Sequence, residues 1–231
     1  VTKGASADGS MYVAHSDDND LTDESIVYIP AKKHAEGAVR SVYASVGAGG
    51  SIPALNISSA RRLVAPERAP GYTFPGLPAS VPLGTIPEVP STYAYIEGIY
   101  GCLNEKGLLF GECTDMAKIF KGAEKGHHYF YSAELAAVAL ERCTSAREAV
   151  LLMGSLIDTY GYYGTGETLP VADKDEAWVM EMAPAPDGGN GFWAAQRIPD
   201  GEIFVAANEF RIREIAADNP DQIVTEKTID G

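Results

Sequence analysis

An α+β fold, with strands and helices in separate blocks, is what the sequence predicts. Short runs of strand character are scattered over residues 11–46 and 93–112, two helical patterns stand side by side over 132–160, and strand runs return over 177–207. Such blocks argue for α+β layering rather than repeated βαβ units. No repeat with a period of 20–50 residues is present.

The 231 residues are enough for one domain with a full core, unaided by metal or disulfide staples. Apolar residues make up 45% and charged residues 22%, which is ordinary globular usage and excludes disorder and coiled coil. Acids outnumber bases 32 to 18, a net charge of −14. A surface so acidic repels phosphate backbones and anionic lipid headgroups, so nucleic acid and membrane are poor partners. No apolar run approaches the ~20 residues that span a bilayer. Cys102, Cys113 and Cys143 are too few and too odd in number for a disulfide framework, and read as small buried hydrophobes.

Taken in order, Val1-Thr2-Lys3, a small polar stretch and Met11-Tyr12-Val13-Ala14-His15 read as strand, turn and strand. The first strand is only three residues long, against a usual five or six, so the sequence is expected to start inside it. Residues 26–29 and 39–46 are short apolar runs with strand character. Residues 47–90 are rich in Gly, Pro, Ser and Ala, with eight of the fourteen prolines between Pro53 and Pro90. They read as an irregular surface excursion, a lid or pocket wall.

Residues 93–102 and 107–112 are strand candidates joined by Asn104-Glu105-Lys106-Gly107, in which Gly107 suits a left-handed position. Residues 132–143 predict a helix with a Ser132 cap and Leu135, Val138 and Ala139 at helical spacing. Residues 145–160 predict a second, with a capping box at Ser145-Ala146-Arg147-Glu148 and an apolar stripe of Ala149, Leu152, Met153, Leu156 and Ile157. Gly161 stops it. Strands follow at 177–181, 191–195 and 203–207, and the chain turns polar after Ala216 without a closing element.

Several constellations carry chemistry. Asp17, Asp18, Asn19, Asp20, Asp23 and Glu24 crowd one loop. Counted as a calcium loop from Asp18, the sixth position is Asp23 instead of Gly and the twelfth is Ile29 instead of a bidentate carboxylate, so nothing closes it. A solvated loop, or one carboxylate orienting a catalytic group, remains. His127-His128 with Glu134 hints at metal, but adjacent histidines diverge on a strand and sit about 100° apart on a helix, so no metal site is expected. A Cys113–His127 nucleophilic pair has no local signature. Asn104 fits a turn for local reasons; Asn208 ends an apolar run where Asn is depleted. Two such amides can form an oxyanion hole.

Lys3-Gly4-Ala5-Ser6-Ala7-Asp8-Gly9-Ser10 with Val13-Ala14-His15-Ser16-Asp17-Asp18 resembles the opening of the dipeptidase A type cysteine dipeptidases of the N-terminal nucleophile hydrolase superfamily. Gly101-Cys102-Leu103-Asn104-Glu105-Lys106-Gly107-Leu108 resembles their hairpin with an N-E-x-G turn, shared with bile salt hydrolases and penicillin V acylases. Gly111-Glu112-Cys113-Thr114 resembles the G-E-[ST]-T that follows. Tyr160-Gly161, Gly166-Glu167, Val171-Ala172-Asp173, Glu176-Ala177-Trp178, Glu181, the run from Ala194 to Gly201, and Ala207-Asn208 with Arg211-Ile212 continue in order.

The resemblance implies a four-layer αββα sandwich in one domain over 1–231, incomplete at both ends, with 47–90 as its irregular excursion. It implies amide hydrolysis by an N-terminal Cys whose own α-amine is the base, no cofactor, and a short peptide as substrate. That Cys would lie a few residues before Val1, so the chain as given is expected to be inactive. By the same match Asp18 orients the amine, His15 stands where relatives carry Arg, and Asn104 and Asn208 supply oxyanion amides. Asp17, Glu112 and Thr114 fall to substrate binding. Cleavage of N-acyl or bile-acid amides is the alternative chemistry, and a non-enzymatic binding module the alternative class. A homo-oligomer and either a cytoplasmic or a secreted location stay open.

Overall fold

In a computed structural model, residues 1–18, 26–44, 63–98, 100–216 and 218–224 are described. A nine-stranded sheet organises them. Its path runs through β1 (Val27–Ile29), β6 (Tyr95–Glu97), β7 (Gly101–Asn104), β8 (Leu109–Phe110), β10 (Gly166–Ala172), β11 (Ala177–Ala183), β12 (Phe192–Ile198) and β13 (Gln222–Val224), with β9 (Cys113–Asp115) also on β10. Every strand pair is antiparallel. Two small ladders stand beside it: β2 (Lys32–Lys33) with β5 (Ser91–Thr92), and β3 (Val39–Val42) with β4 (Gly84–Pro87). Helices α1 (Ser132–Arg142) and α2 (Ala146–Tyr160) pack on the sheet and on each other. The expected mixed α+β class is what the chain adopts.

Helix α2 follows local rules. Ser145 Oγ accepts from Glu148 N at 3.3 Å, and Gly161 ends the helix at φ +82°. The other arm of the expected box goes one residue further back: the Glu148 carboxylate accepts from Thr144 N and Oγ1. In α1 the cap is Tyr131 rather than Ser132, with no side-chain cap bond. Nearly all of α1 is buried, which its run of alanines permits by close approach. Gly101 of β7 completes that approach, since an added Cβ would stand 2.7 Å from Leu140 Cδ1.

Burying α1 carries two carboxylates inside. Arg40 on β3 grips Glu141 with Nε and Nη2 at 2.6 and 3.0 Å and Glu134 with Nη1 at 2.7 Å. Arg68 Nη2 adds a second bond to Glu134 at 2.5 Å. Burial alone would raise the Glu134 carboxyl, but Arg68 and Arg40 outweigh it and hold it below the ordinary range. Removing one partner of such a buried pair leaves an uncompensated charge.

Several expectations give way. The N-terminal hairpin is not a strand pair: a 3-10 turn covers Lys3–Ala5, and only Val1 and Tyr12 exchange backbone bonds, at 2.8 and 3.0 Å. The stretch read as irregular contains β4, whose backbone pairs with β3 residue for residue from Gly84 to Pro87. The run 93–102 is two strands, β6 and β7, paired to each other with a register shift after Ile96. Residues 203–207 form no ladder among the described residues, and Ile203 and Val205 are exposed. The closing element missing from the sequence reading is β13, on the edge of β12. Residues 47–62 of the excursion, and Ser45 and Val46 of the second apolar run, lie outside the described residues.

Candidate functional site

Strand β9 is the hub. It pairs with β10 in the register Cys113↔Thr168, Thr114↔Glu167 and Asp115↔Gly166. Alternate strand residues point to opposite faces, so Glu112 and Thr114 face one side, and Cys113 and Asp115 the other.

On the first side Thr114 Oγ1 donates to Glu112 Oε1 at 2.7 Å, and the Tyr131 hydroxyl donates to Glu167 Oε1. Glu167 is fully buried. Burial first, and then a hydrogen bond shared with Glu112 and that carboxylate's charge, pushes the Glu167 carboxyl well above its ordinary range. No donor other than its own proton faces Glu167 Oε2 among the described residues. Tyr100 closes the group. Burial first, and then the charges of Glu167, Glu112 and Asp17, raises its hydroxyl far above the usual phenol range, against a hydrogen bond with Thr114. The His15 ring meets the Tyr100 ring edge-on, with centroids 6.2 Å apart. Of the residues named from the sequence, Thr114 and Glu112 meet directly, while His15 touches Tyr100, a tyrosine the sequence reading did not single out.

On the second side Asp115 is fully buried and accepts from Thr168 Oγ1. Burial raises its carboxyl. Asn208, at φ +57°, sits over this edge: its N–H reaches Cys113 Sγ at 3.0 Å and Nδ2 donates to Thr114 O at 2.7 Å. The segment is pinned by Glu181, whose Oε1 accepts from the backbone N–H groups of Arg211 and Ile212. Asn208 is exposed and keeps one amide N–H beyond the Thr114 bond.

Asn104 corrects the sequence reading. It is 3% exposed, and its Nδ2 donates to Leu140 O and Cys143 O, both at 2.9 Å. Its Oδ1 accepts from Lys106 N and Leu108 N, both at 3.0 Å. Both amide hydrogens are occupied at the C-terminal end of α1, where helix carbonyls lack intrahelical partners. Asn104 is a turn residue and helix cap here, and offers nothing to an oxyanion. Asp18 is exposed, and its neighbours Asn19, Asp20, Asp23 and Glu24 lie outside the described residues.

None of the three cysteines is an activated thiol. Burial raises Cys102 and Cys113, and pushes Cys143 up to about 12. An activated nucleophile shows the opposite shift. Cys113 and His127 do not form a pair: the sulfur meets Asn208, and His127 Nδ1 faces His128 Nδ1 at 2.6 Å. That second contact overturns the expectation that the two histidines diverge. His128 has φ +53°, neither strand nor helix, and this turns the rings towards each other.

Residues 128–230, which include Tyr131, Glu167, Glu181 and Asn208, match the family model described as Peptidase family C69. Over that segment the chain is similar to peptidase family C69. A stretch of 88 residues is 40% identical to a probable dipeptidase B of Lactococcus lactis subsp. lactis (strain IL1403), covering 38% of this chain and 17% of that protein. A probable dipeptidase of Latilactobacillus sakei is 33% identical over 87 residues, with the same coverage of 38% and 17%. A probable dipeptidase A of Streptococcus pyogenes serotype M1 is 28% identical over 88 residues. The matched stretch thus spans about a sixth of the length of these relatives. The second face of β9 reaches the segment that matches the family model through Thr168 and Asn208, and the first face through Glu167 and Tyr131.

Proposed function

We propose that the protein carrying this sequence is a cysteine-type dipeptidase that hydrolyses the amide bond of short peptides, on an αββα sandwich of the N-terminal nucleophile type. The observation that carries the proposal is the family C69 match over 128–230 together with the 40% identity to a probable dipeptidase B. The nucleophile of this reading is the N-terminal Cys that the resemblance to cysteine dipeptidases implies, a role to which the raised thiols of Cys102, Cys113 and Cys143 are not suited.

In this reading the thiol of an N-terminal Cys attacks the peptide carbonyl. Its α-amine, which titrates near 7.7–8.0, takes the thiol proton and returns it to the leaving amine. Asp18 orients that amine. The second amide hydrogen of Asn208 faces the oxyanion, a contact whose loss typically costs ~2.7–4 kcal/mol in the transition state. The carboxylates of Asp17 and Glu112, with Thr114 bonded to Glu112, hold the substrate ammonium, as a site of one charge sign attracts the other.

The test uses the full-length, naturally processed protein. N-terminal sequencing should read Cys, and a panel of dipeptides, N-acyl amino acids and bile-acid amides should show cleavage of the dipeptides. Asp18→Ala should lower kcat/KM on dipeptides by about 10²-fold, the scale of a lost acid–base contribution. Another N-terminal residue, cleavage of the acyl amides alone, or an Asp18→Ala enzyme with unchanged kcat/KM overturns the reading.

A further inference from the structure

The turn Glu124-Lys125-Gly126-His127 and the residue after it gather three metal-ligating groups. Gly126 at φ +86° closes the turn, with His127 N on Glu124 O at 3.2 Å. One ligand atom from each of Glu124, His127 and His128 lies within 4.8 Å of the others. We propose that this cluster is a zinc-type divalent metal site in which His127 Nδ1, His128 Nδ1 and the Glu124 carboxylate are the ligands and a fourth position is open to water.

Two features separate this from an ordinary pair of surface histidines. The first is how His128 is held. It is 1% exposed, and its Nε2 meets Gly189 O at 3.0 Å. A carbonyl can only accept, so Nε2 carries the hydrogen and Nδ1 presents its lone pair. A backbone carbonyl on the far nitrogen is how metal-binding imidazoles are commonly oriented. Neutral imidazole is the ligating form.

The second is the ground on which it stands. The His128 backbone lies against Gly161, where an added Cβ would stand 3.0 Å from His128 N and Cα. Gly161 caps α2, and Tyr129 N and Phe130 N bond Tyr160 O and Gly161 O. The C-terminal end of a helix carries partial negative charge and favours a cation.

The donor set, two imidazoles and a carboxylate, suits zinc with one position left open. Without metal, His127 Nδ1–H donates to His128 Nδ1 across 2.6 Å. On binding, the His127 proton moves to Nε2, which frees Nδ1. Tetrahedral ligation then needs the two nitrogens about 3.3 Å apart. Exposed His127 can swing out by that margin while buried His128 stays fixed. Glu124 Oε2 is already 3.7 Å from His128 Nδ1.

The experiment is a Zn²⁺ titration of the full chain at pH 7.5 against a chromophoric chelator, read as stoichiometry and competition. The chain should take one Zn²⁺. His127→Ala and Glu124→Gln, both at exposed positions that leave folding intact, should each weaken binding by at least about tenfold. A Cys102→Ser, Cys113→Ser double variant should bind as the wild type does. Absence of stoichiometric binding, binding unchanged in His127→Ala, or binding lost with the cysteines overturns the proposal.

Discussion

Replacing Asn104 by Ala should destabilise the fold by about 2–4 kcal/mol. The side chain makes four hydrogen bonds, two donated by Nδ2 to Leu140 O and Cys143 O and two accepted by Oδ1 from Lys106 N and Leu108 N. Lys106 is exposed, so water replaces that bond at little cost. The other three lie in the interior, and each removal leaves a buried polar group short of a partner, at about 1 kcal/mol or somewhat more. The total falls below the sum of three full desolvation penalties because the short hairpin can shift. Urea unfolding measures it: the midpoint should fall by about 1 M with an unchanged m value. Asn104→Asp sharpens the test. It keeps the two acceptor bonds but aims a carboxylate at two carbonyls, which raises its pKa in the folded state. Protonation relieves that clash, so the Asp variant should recover towards wild type as the pH falls below the raised pKa. A loss under about 1 kcal/mol in Asn104→Ala, with hydrolysis abolished in the full-length protein, refutes the capping role and returns Asn104 to the oxyanion.

Gly154→Ala should lower the thermal midpoint despite alanine's advantage of about 1 kcal/mol in a helix. The added Cβ would stand 2.1 Å from Trp193 Cζ2, and overpacking a core of this kind costs about 1–3 kcal/mol. A midpoint at or above wild type contradicts it. Glu97 gives a pH dependence: burial pushes its carboxyl up to about 7 against the pull of Arg68. A carboxyl raised on folding stabilises below its unfolded pKa, and that contribution is lost as the pH rises from about 4.3 to 7. Unfolding free energy of Glu97→Gln should therefore decline less than wild type between pH 5 and 7, and an equal or steeper decline counts against the assignment.

What was legible in the sequence is what local physics determines. Helix α2 has its cap, its apolar period and its glycine stop within sixteen residues, and all three act as read. Strand β10 was passed over as a strand because Gly166-Glu167-Thr168-Leu169-Pro170 neither alternates nor avoids proline. Its pairing explains the proline. Thr168, Glu167 and Gly166 pair with β9 and Val171 and Ala172 with β8, so Pro170 falls opposite the break between those strands. Gly111 N still donates to Pro170 O at 2.9 Å, so the proline forgoes only the return bond that its missing N–H would have made. A proline that argues against a central strand in isolation is permitted by two neighbours distant in sequence. Residues 203–207 fail in the opposite sense: β-branched residues promise a strand, yet Ile203 and Val205 are exposed and no partner pairs there among the described residues.

The candidate site shows why motif reading stops where it does. Glu112-Cys113-Thr114 reads as one motif, but strand parity sends its members to two environments. Glu112 and Thr114 meet Tyr100 and Glu167, while Cys113 meets the backbone of Asn208. Glu167 stands inside a strand of buried residues, where a carboxylate must be neutral, paired or functional, but that burial is visible only once β10 is in place. Its partner Tyr131 comes from 36 positions away, and no periodicity links the two. Asn104 carries the complementary lesson. A turn asparagine and an oxyanion asparagine are the same letters in the same motif, and only the position of the α1 carboxyl end decides which hydrogen bonds its amide makes.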